Sequence, residues 1–539
     1  MALSKRDEDQ ISYCGSISGE TFSSRRRRNT CTLRQHNIDS LTQKLRELES
    51  DFVKQDESET KKRFNTSFHH YRFVVVMLGG FSLGTMIILR YSITVAILKM
   101  VNQTALYMEE HPNKTIDDFL DEGYALGGEF DWDNEIQHMI MSWYMVAYTL
   151  PQVPCTKLGI KLGSRLAVPI SLMICAIANL LTPVVAYWGW EWVIALRLVN
   201  GVGAAAVLPM MLNLIENWMP YDQISLGLTF AQLLQSILTA ANPLIAGYLS
   251  AIHWSYAFYV PGTATIVFCA IWLTLITDRP DESWLISRKE LDLICVCSSG
   301  DVKQEEKSKM QGSGGCAKIL QLTEQAYQPT WKDVFRIPSF YAFVFMWCFY
   351  CSSYSSFVFI LPTYLRQFLK IHVSVNGIYC ALIQSGCLIS ILWPHPVLQL
   401  LQKRFKLSPT ASRRITHAII CLMTAMTWFY VGLFHDTQLL VLFLNRCFQG
   451  SNDIVVTGTL MGNYAKAGLS SLVFSMVNTV GNLSVVFSST LIGYILDYTG
   501  QAVEGWTCIY LALGAAQLLM LLAFVTVIRS EPIVINSRR

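Results

Sequence analysis

The feature that most constrains this chain is a succession of long apolar runs. About 20 helical residues cross the hydrocarbon of a bilayer. A window of that length finds runs at 73–98, 136–156, 166–189, 191–215, 225–250, 255–277, 339–362, 376–401, 415–434, 438–460, 470–496 and 505–528. Lipid offers an open backbone no hydrogen-bond partners, so each run is read as a helix. The expected fold class is an all-α polytopic membrane protein with 12 transmembrane helices. Composition agrees. Only 15% of the 539 residues are charged, against about 25% in a soluble domain. Those charges crowd into the first 70 residues and into 278–338, which excludes a soluble multidomain enzyme. A net charge of +3 excludes a nucleic-acid-binding face.

The short loops set the orientation. Lys157, Lys161 and Arg165 lie between spans two and three, and Lys403, Arg404, Lys406, Arg413 and Arg414 between eight and nine. Lys466 follows span ten, and Arg529, Arg538 and Arg539 follow span twelve. Basic loops stay in the cytoplasm, so both termini and the middle loop are expected there. The segment after span one then lies on the other side. It carries two glycosylation acceptors, Asn102-Gln-Thr104 and Asn113-Lys-Thr115. The expected domains are a tail at 1–71, a first half at 72–277, a middle loop at 278–338, a second half at 339–528 and a tail at 529–539. The first residues hold no apolar signal core, so span one is expected to act as its own insertion signal.

Within the first tail Ile38, Leu41, Leu45, Leu48 and Phe52 recur at helical steps. They read either as a short amphipathic helix or as part of a loosely ordered tail. Residues 299–317 read as a flexible linker. The 15 cysteines show no repeating spacing. Cys348 and Cys351 sit inside an apolar run without His or carboxylate partners, so they read as packing residues, and neither metal nor cofactor is expected. No phosphate loop, nucleophile elbow or paired intramembrane carboxylate points to an enzyme.

Six spans plus six suggest a duplication. Span four reads Arg197-Leu-Val-Asn-Gly201 and span ten, its counterpart, Arg446-Cys-Phe-Gln-Gly450. Two such halves around a midplane site describe an alternating-access transporter. The chain here resembles the major facilitator superfamily, and within it the anion transporters that include sialin, the vesicular glutamate transporters and the sodium–phosphate cotransporter-like proteins. The resemblance runs over about residues 72–528. It rests on Arg90-Tyr-Ser-Ile-Thr-Val-Ala96, Phe130-Asp-Trp-Asp-x-Glu135, Gln152-Val-Pro154, Lys161-Leu-Gly163-Ser-Arg165 and Ala195-Leu-Arg197-x-x-x-Gly201-x-Gly203. Pro209, Trp218-x-Pro220, Pro280, Ile286-Ser287, Glu290, Leu361-Pro-Thr-Tyr364 and Asn478-x-x-Gly481 complete it.

A charge at mid-bilayer costs a few kcal/mol, so intramembrane charges are the first functional candidates. Arg90, Arg197 and Arg446 come from three spans at a similar depth of roughly 9–12 Å at 1.5 Å per residue. A guanidinium stays charged and binds carboxylate or phosphate in a fork. The resemblance implies that Arg90 and Arg197 contact an anionic substrate, with Arg446 a candidate contact from the second half. The alternative is snorkelling or structural pairing. Tyr350 and Tyr354 are candidate cavity aromatics or ordinary packing. Asp453 is a candidate for proton or ion coupling, or the partner of a static pair with Arg446 two helical turns away. Lys161 and Arg165 are expected to gate. The chain departs from the resemblance at Ala204, where relatives often carry a coupling Glu, at Met141, where the glutamate transporters carry His, and at Tyr350, where they carry Arg. The expected activity is secondary transport of a small organic anion by a monomer, with H+ or Na+ or driven by membrane potential. Alternatives are an inorganic phosphate or nucleotide transporter of the same fold, or a receptor or scaffold without turnover.

Overall fold

The computed structural model describes residues 71–102, 128–220, 223–288, 290–291, 294, 334–367, 373–434, 439–464, 469–499 and 503–528. These lie in one compact unit spanning His69–Arg539. The amphipathic segment at 38–52, the linker at 299–317, Asn113 and the tail after 528 lie outside the described residues.

The described residues are helical almost throughout. The first half comprises α1 (Tyr71–Met100), α2 (Asn134–Thr149), α3 (Gln152–Leu162), α4 (Ser164–Val185), α5 (Trp190–Ala204), α6 (Val207–Trp218), α7 (Ile224–Ile252) and α8 (Tyr256–Leu275). The second comprises α9 (Pro338–Gln367), α10 (Val373–Leu392), α11 (Pro394–Lys403), α12 (Pro409–Leu433), α13 (Leu439–Gln449), α14 (Ser451–Tyr464), α15 (Ser470–Tyr498) and α16 (Val503–Val527). Among the described residues, nine helical stretches are long and apolar enough to cross a membrane. The expected spans 136–156, 339–362 and 438–460 are helical but are not among those nine.

Four expected spans are broken, and the breaks come in pairs. Span two divides at Pro151 into α2 and α3, and span eight divides at Trp393–Pro394 into α10 and α11. Span four divides at Ala205–Ala206 into α5 and α6, and span ten divides at Gly450 into α13 and α14. Spans two and eight, and four and ten, are counterparts in a six-plus-six duplication. A proline removes one ladder hydrogen bond and clashes with the preceding turn, which favours the breaks at Pro151 and Pro394, although α4, α7 and α8 run unbroken through Pro169, Pro183, Pro243 and Pro261.

The helices sort their faces by partner. On α4, Ile170, Ile174, Ile177, Leu181 and Val184 are all exposed, at three- and four-residue steps. Val168, Leu172, Cys175, Asn179 and Thr182 on the other side are buried. A stripe this apolar and this exposed suits lipid, which does not penalise it. Thr182 returns its hydroxyl to the Ala178 carbonyl at 2.8 Å, so its polarity is satisfied inside the helix.

One buried ion pair closes the first half. The Glu290 carboxylate, beyond α8, accepts the backbone N–H groups of Tyr71 and Arg72, both at 3.1 Å. It also pairs with Arg72 Nε at 3.8 Å, and both side chains are only 2% exposed. The first N–H groups of a helix lack intrahelical acceptors and carry positive partial charge. Glu290 supplies both needs from 218 residues away. On the opposite end of α1, Val101 bridges Phe130 in parallel, and Phe130 stacks on Trp132 with ring centroids 4.7 Å apart. Beside them Tyr187 donates to Glu129, and this hydrogen bond holds the Glu129 carboxyl below the usual carboxylate range. Removing one partner of a buried pair costs about 3–5 kcal/mol. Glu290→Ala is therefore expected to lower the thermal unfolding temperature in detergent markedly, and more than an exposed change such as Glu191→Ala.

Candidate functional site

The intramembrane charges meet at the seam between the halves. Arg90, on α1, is half-buried. Its guanidinium carbon lies 4.7 Å from the Tyr91 ring centre, 5.1 Å from Tyr144 and 5.9 Å from Tyr148. Tyr144 and Tyr148 are one helical turn apart on α2, with near-parallel rings 6.2 Å apart. Arg197, on α5, reaches the same platform and stands 4.8 Å over Tyr144. Tyr144 thus separates two guanidiniums. A cation over an aromatic face gains about 2 kcal/mol when desolvated, which offsets part of the cost of bringing two like charges together.

The two arginines differ in what they can reach. Arg197 is 5% exposed and donates to the Arg90 backbone carbonyl at 2.9 Å. It therefore braces α1 from behind, and its charge reaches the cavity through Tyr144. Arg90 is the more open of the two.

Across the seam, Arg446 on α13 lies 3.8 Å from the centre of the Tyr354 ring and 5.6 Å from Phe357. Its NH1 donates to Gln449 Oε1 at 3.1 Å. Tyr354 is also within electrostatic reach of Arg90, so arginines from both halves converge on one tyrosine. Tyr350 packs one turn away, its ring 5.8 Å from that of Tyr354. No carboxylate pairs with Arg90, Arg197 or Arg446 among the described residues.

Asp453 does not pair with Arg446. The break at Gly450 ends α13 and starts α14, so the two residues do not share one continuous helical face. Asp453 instead accepts from the Thr457 hydroxyl at 2.9 Å, and Gln232 on α7 faces it. Gln232 belongs to the other half, so this carboxylate sits on the seam.

The seam is tied at one end. Gln152 Oε1, on α3, accepts from Asn478 Nδ2 at 3.1 Å and from Thr479 at 3.3 Å, both on α15. Trp347 Nε1 holds the other side of the Asn478 amide at 3.1 Å. Glu216, on α6, faces Ser470 at the start of α15, whose hydroxyl donates to the Met461 carbonyl at 3.4 Å. These contacts lie toward the end that carries Lys161 and Arg165. Lys161 is exposed. Arg165 donates its backbone N–H to Asp278 at 2.9 Å and its guanidinium to the Leu273 carbonyl at 3.3 Å, at the end of α8. A Cβ placed on Gly247 of α7 or on Gly493 of α15 would meet nothing within 4 Å. Asn102 lies at the other end, where its N–H donates to the Phe130 carbonyl at 2.9 Å.

The profile of the Major Facilitator Superfamily matches residues 81–444. The chain belongs to that family. It is an integral, multi-pass membrane protein of a transporter family, not an enzyme. Sialin from Ovis aries is 23% identical over 414 residues, covering 74% of this chain and 75% of its own length. A putative inorganic phosphate cotransporter from Drosophila melanogaster is 22% identical over 460 residues, covering 81% of each. The solved structure of the proton:xylose symporter XylE superposes with a TM-score of 0.60 at 14% identity, covering 85% of this chain and 95% of that one. The last likeness concerns the fold alone.

Within this Major Facilitator Superfamily chain the repeated Arg-x-x-x-Gly has a structural meaning. Gly201 lets α5 touch α2: a Cβ there would lie 2.6 Å from the Tyr144 carbonyl and 2.9 Å from the Tyr148 amide nitrogen. Gly450 lets the counterpart span approach α10, where a Cβ would lie 3.1 Å from Ser390 Cβ. Both glycines therefore serve the same helix pair in their own halves. The sequence singled out the arginines, Tyr350 and Tyr354, and Gln152 only as part of the resemblance; it gave no role to Tyr144, Gln152 or Glu216. The i, i+4 spacing of Tyr144 and Tyr148 was the available signal for the first. Nothing in the sequence marks the other two as facing the second half. Since backbone on α2 cannot yield as a side chain can, Gly201→Leu is expected to push α5 away and tilt the Tyr144 platform. Overpacking of this kind costs about 1–3 kcal/mol. The measurement is thermal unfolding of the purified variant, with Gly493→Leu as the tolerated comparison.

Proposed function

We propose that this chain is a secondary transporter of a small organic anion, working by alternating access of its two halves. One observation carries it: three guanidiniums converge on the seam and none has a carboxylate partner among the described residues. A buried charge without a counter-charge is costly, and an anion that enters the cavity supplies the missing partner. Arg90, the most open of the three, contacts it first; Arg446 and Arg197 meet it from behind the rings of Tyr354 and Tyr144, and Tyr350 and Tyr354 line its path. The names of the relatives, among them an ascorbate transporter from Arabidopsis thaliana and the phosphate cotransporter above, support an anionic cargo.

The proposed topology has twelve spans. The nine long apolar stretches are joined by the broken pairs α2–α3 and α13–α14 and by α9. The termini and the basic loops face the cytoplasm, and Asn102 and Asn113 are glycosylation acceptors on the other face. In that frame the Gln152–Asn478 and Glu216–Ser470 contacts seal the cytoplasmic side. Lys161 and Arg165 belong to the gating loop beside that seal. Asp453 is the coupling carboxylate. Its partners Thr457 and Gln232 are neutral, so no fixed cation holds it ionised, and Gln232 moves away when the halves rock.

Uptake into liposomes containing the reconstituted protein, with pH gradient and potential set separately, tests this directly. The panel comprises an organic carboxylate series, ascorbate, inorganic phosphate and a nucleotide. Arg90→Gln is expected to reduce uptake about tenfold or more, as the loss of a charge-assisted hydrogen bond of about 1.5–3 kcal/mol implies. Unchanged uptake in that variant defeats the assignment. Phosphate or nucleotide taken up in preference to carboxylates moves the substrate class. Binding without flux makes the protein a receptor. In Asp453→Asn, uptake is expected to lose its dependence on the pH gradient while potential still drives it. Unchanged pH dependence removes Asp453 from coupling.

A further inference from the structure

Arg446 has a second environment besides the Tyr354 and Phe357 rings. A guanidinium only donates hydrogen bonds, so Gln449 must present its oxygen to Arg446. Its amide nitrogen then points the other way, and it donates to Ser353 Oγ on α9 at 2.9 Å. The same hydroxyl oxygen accepts a second amide, Gln517 Nε2 on α16, at 3.1 Å. Gln517 is thereby left with its oxygen free to accept Asn452 Nδ2 on α14 at 3.4 Å. Arg446, Gln449, Ser353, Gln517 and Asn452 are each at most 1% exposed. The chain of hydrogen bonds therefore links α13, α9, α16 and α14 entirely inside the second half.

The direction of the Gln449 bonds follows from the first: turning Gln449 over would set donor against donor at Arg446. Beyond Ser353, whose hydroxyl can accept or donate, Gln517 and Asn452 keep a sense consistent with each other. Two amide chains converge on Ser353, which acts as their common acceptor. The network ends on neutral groups throughout, so it holds the guanidinium without cancelling its charge. Buried polar networks of this kind cost stability when partly satisfied and fix a single geometry when complete.

We infer that Gln449, Ser353, Gln517 and Asn452 are positioning residues that hold the Arg446 guanidinium against the Tyr354 ring and leave its charge available to an anion. The inference rests on the anion site proposed above, because it concerns how one arginine of that site is held. Similar anchoring is not built for Arg90, whose guanidinium rests on aromatic faces and on Met145 Sδ.

The test uses the full chain purified in detergent, with inorganic phosphate and ascorbate as probes and titration calorimetry as the readout. Gln517→Leu and Ser353→Ala lie out of contact with the cavity, and Ser353→Ala changes almost no volume. Each is expected to weaken the binding of whichever probe the intact protein takes by about tenfold, the scale of one lost charged hydrogen bond. Neither is expected to weaken it further in an Arg446→Gln background. Gln449→Glu keeps the acceptor and the size but supplies a counter-charge, so it is expected to weaken binding more than Gln449→Leu does. A purely structural network would tolerate Glu at least as well as Leu. If Arg446→Gln weakens binding but Ser353→Ala and Gln517→Leu do not, the positioning role is wrong and the anion site stands. If Arg446→Gln changes nothing, or the intact protein binds neither probe, the anion site itself fails and this inference with it.

Discussion

A guanidinium inside a bilayer must be stabilised by something, and the choice of partner decides what the protein can do. A carboxylate would neutralise it and leave nothing for a ligand. Here the partners are aromatic faces, a backbone carbonyl and a glutamine oxygen. Each lowers the cost of burial by hydrogen bonding or by attraction to the ring quadrupole, and none removes the charge. The packing around the seam answers to this constraint. The stacked pair Tyr144 and Tyr148, the Gly201 contact that brings α5 against α2, and the polar chain behind Arg446 all serve to hold uncompensated charge at the junction of the halves.

The same seam is asymmetric along its length. Side-chain amides and a hydroxyl tie it at the end that carries the basic loops, through Gln152, Asn478 and Thr479. These are single hydrogen bonds between neutral groups, each with a net worth of about 1 kcal/mol. Such contacts hold a state without locking it. The paired breaks in spans two, four, eight and ten lie in the helices that make or flank these contacts. They let the tied end and the cavity end of one span differ in direction.

The helical runs and the paired Arg-x-x-x-Gly were legible in the sequence because they depend on local properties. Hydrophobic length reports a crossing helix, and Arg-x-x-x-Gly at matching places reports the repeat. The glycines of that motif proved equivalent in space. The arginines did not, since Arg197 braces a neighbouring backbone and Arg446 is held by a side-chain amide. The helical spacing that placed Asp453 beneath Arg446 assumed a continuous helix, and the break at Gly450 removes that premise. A glycine inside an apolar run reads in sequence as tolerated, because the approach of Ser390 that accompanies the break belongs to another helix.

By itself, the sequence determined that this chain is a helical membrane protein of a transporter family, and that three arginines and one aspartate are the charges to explain. Burial in lipid is so costly to a charge, and so favourable to an apolar run, that composition along the chain suffices for both. Only the tertiary structure decided which groups face those charges. Tyr144 beside two guanidiniums, Gln232 opposite Asp453 and Ser353 between two glutamines bring together residues 107, 221 and 164 positions apart at their widest. Contacts of that range depend on how whole helices pack, and no local pattern encodes them.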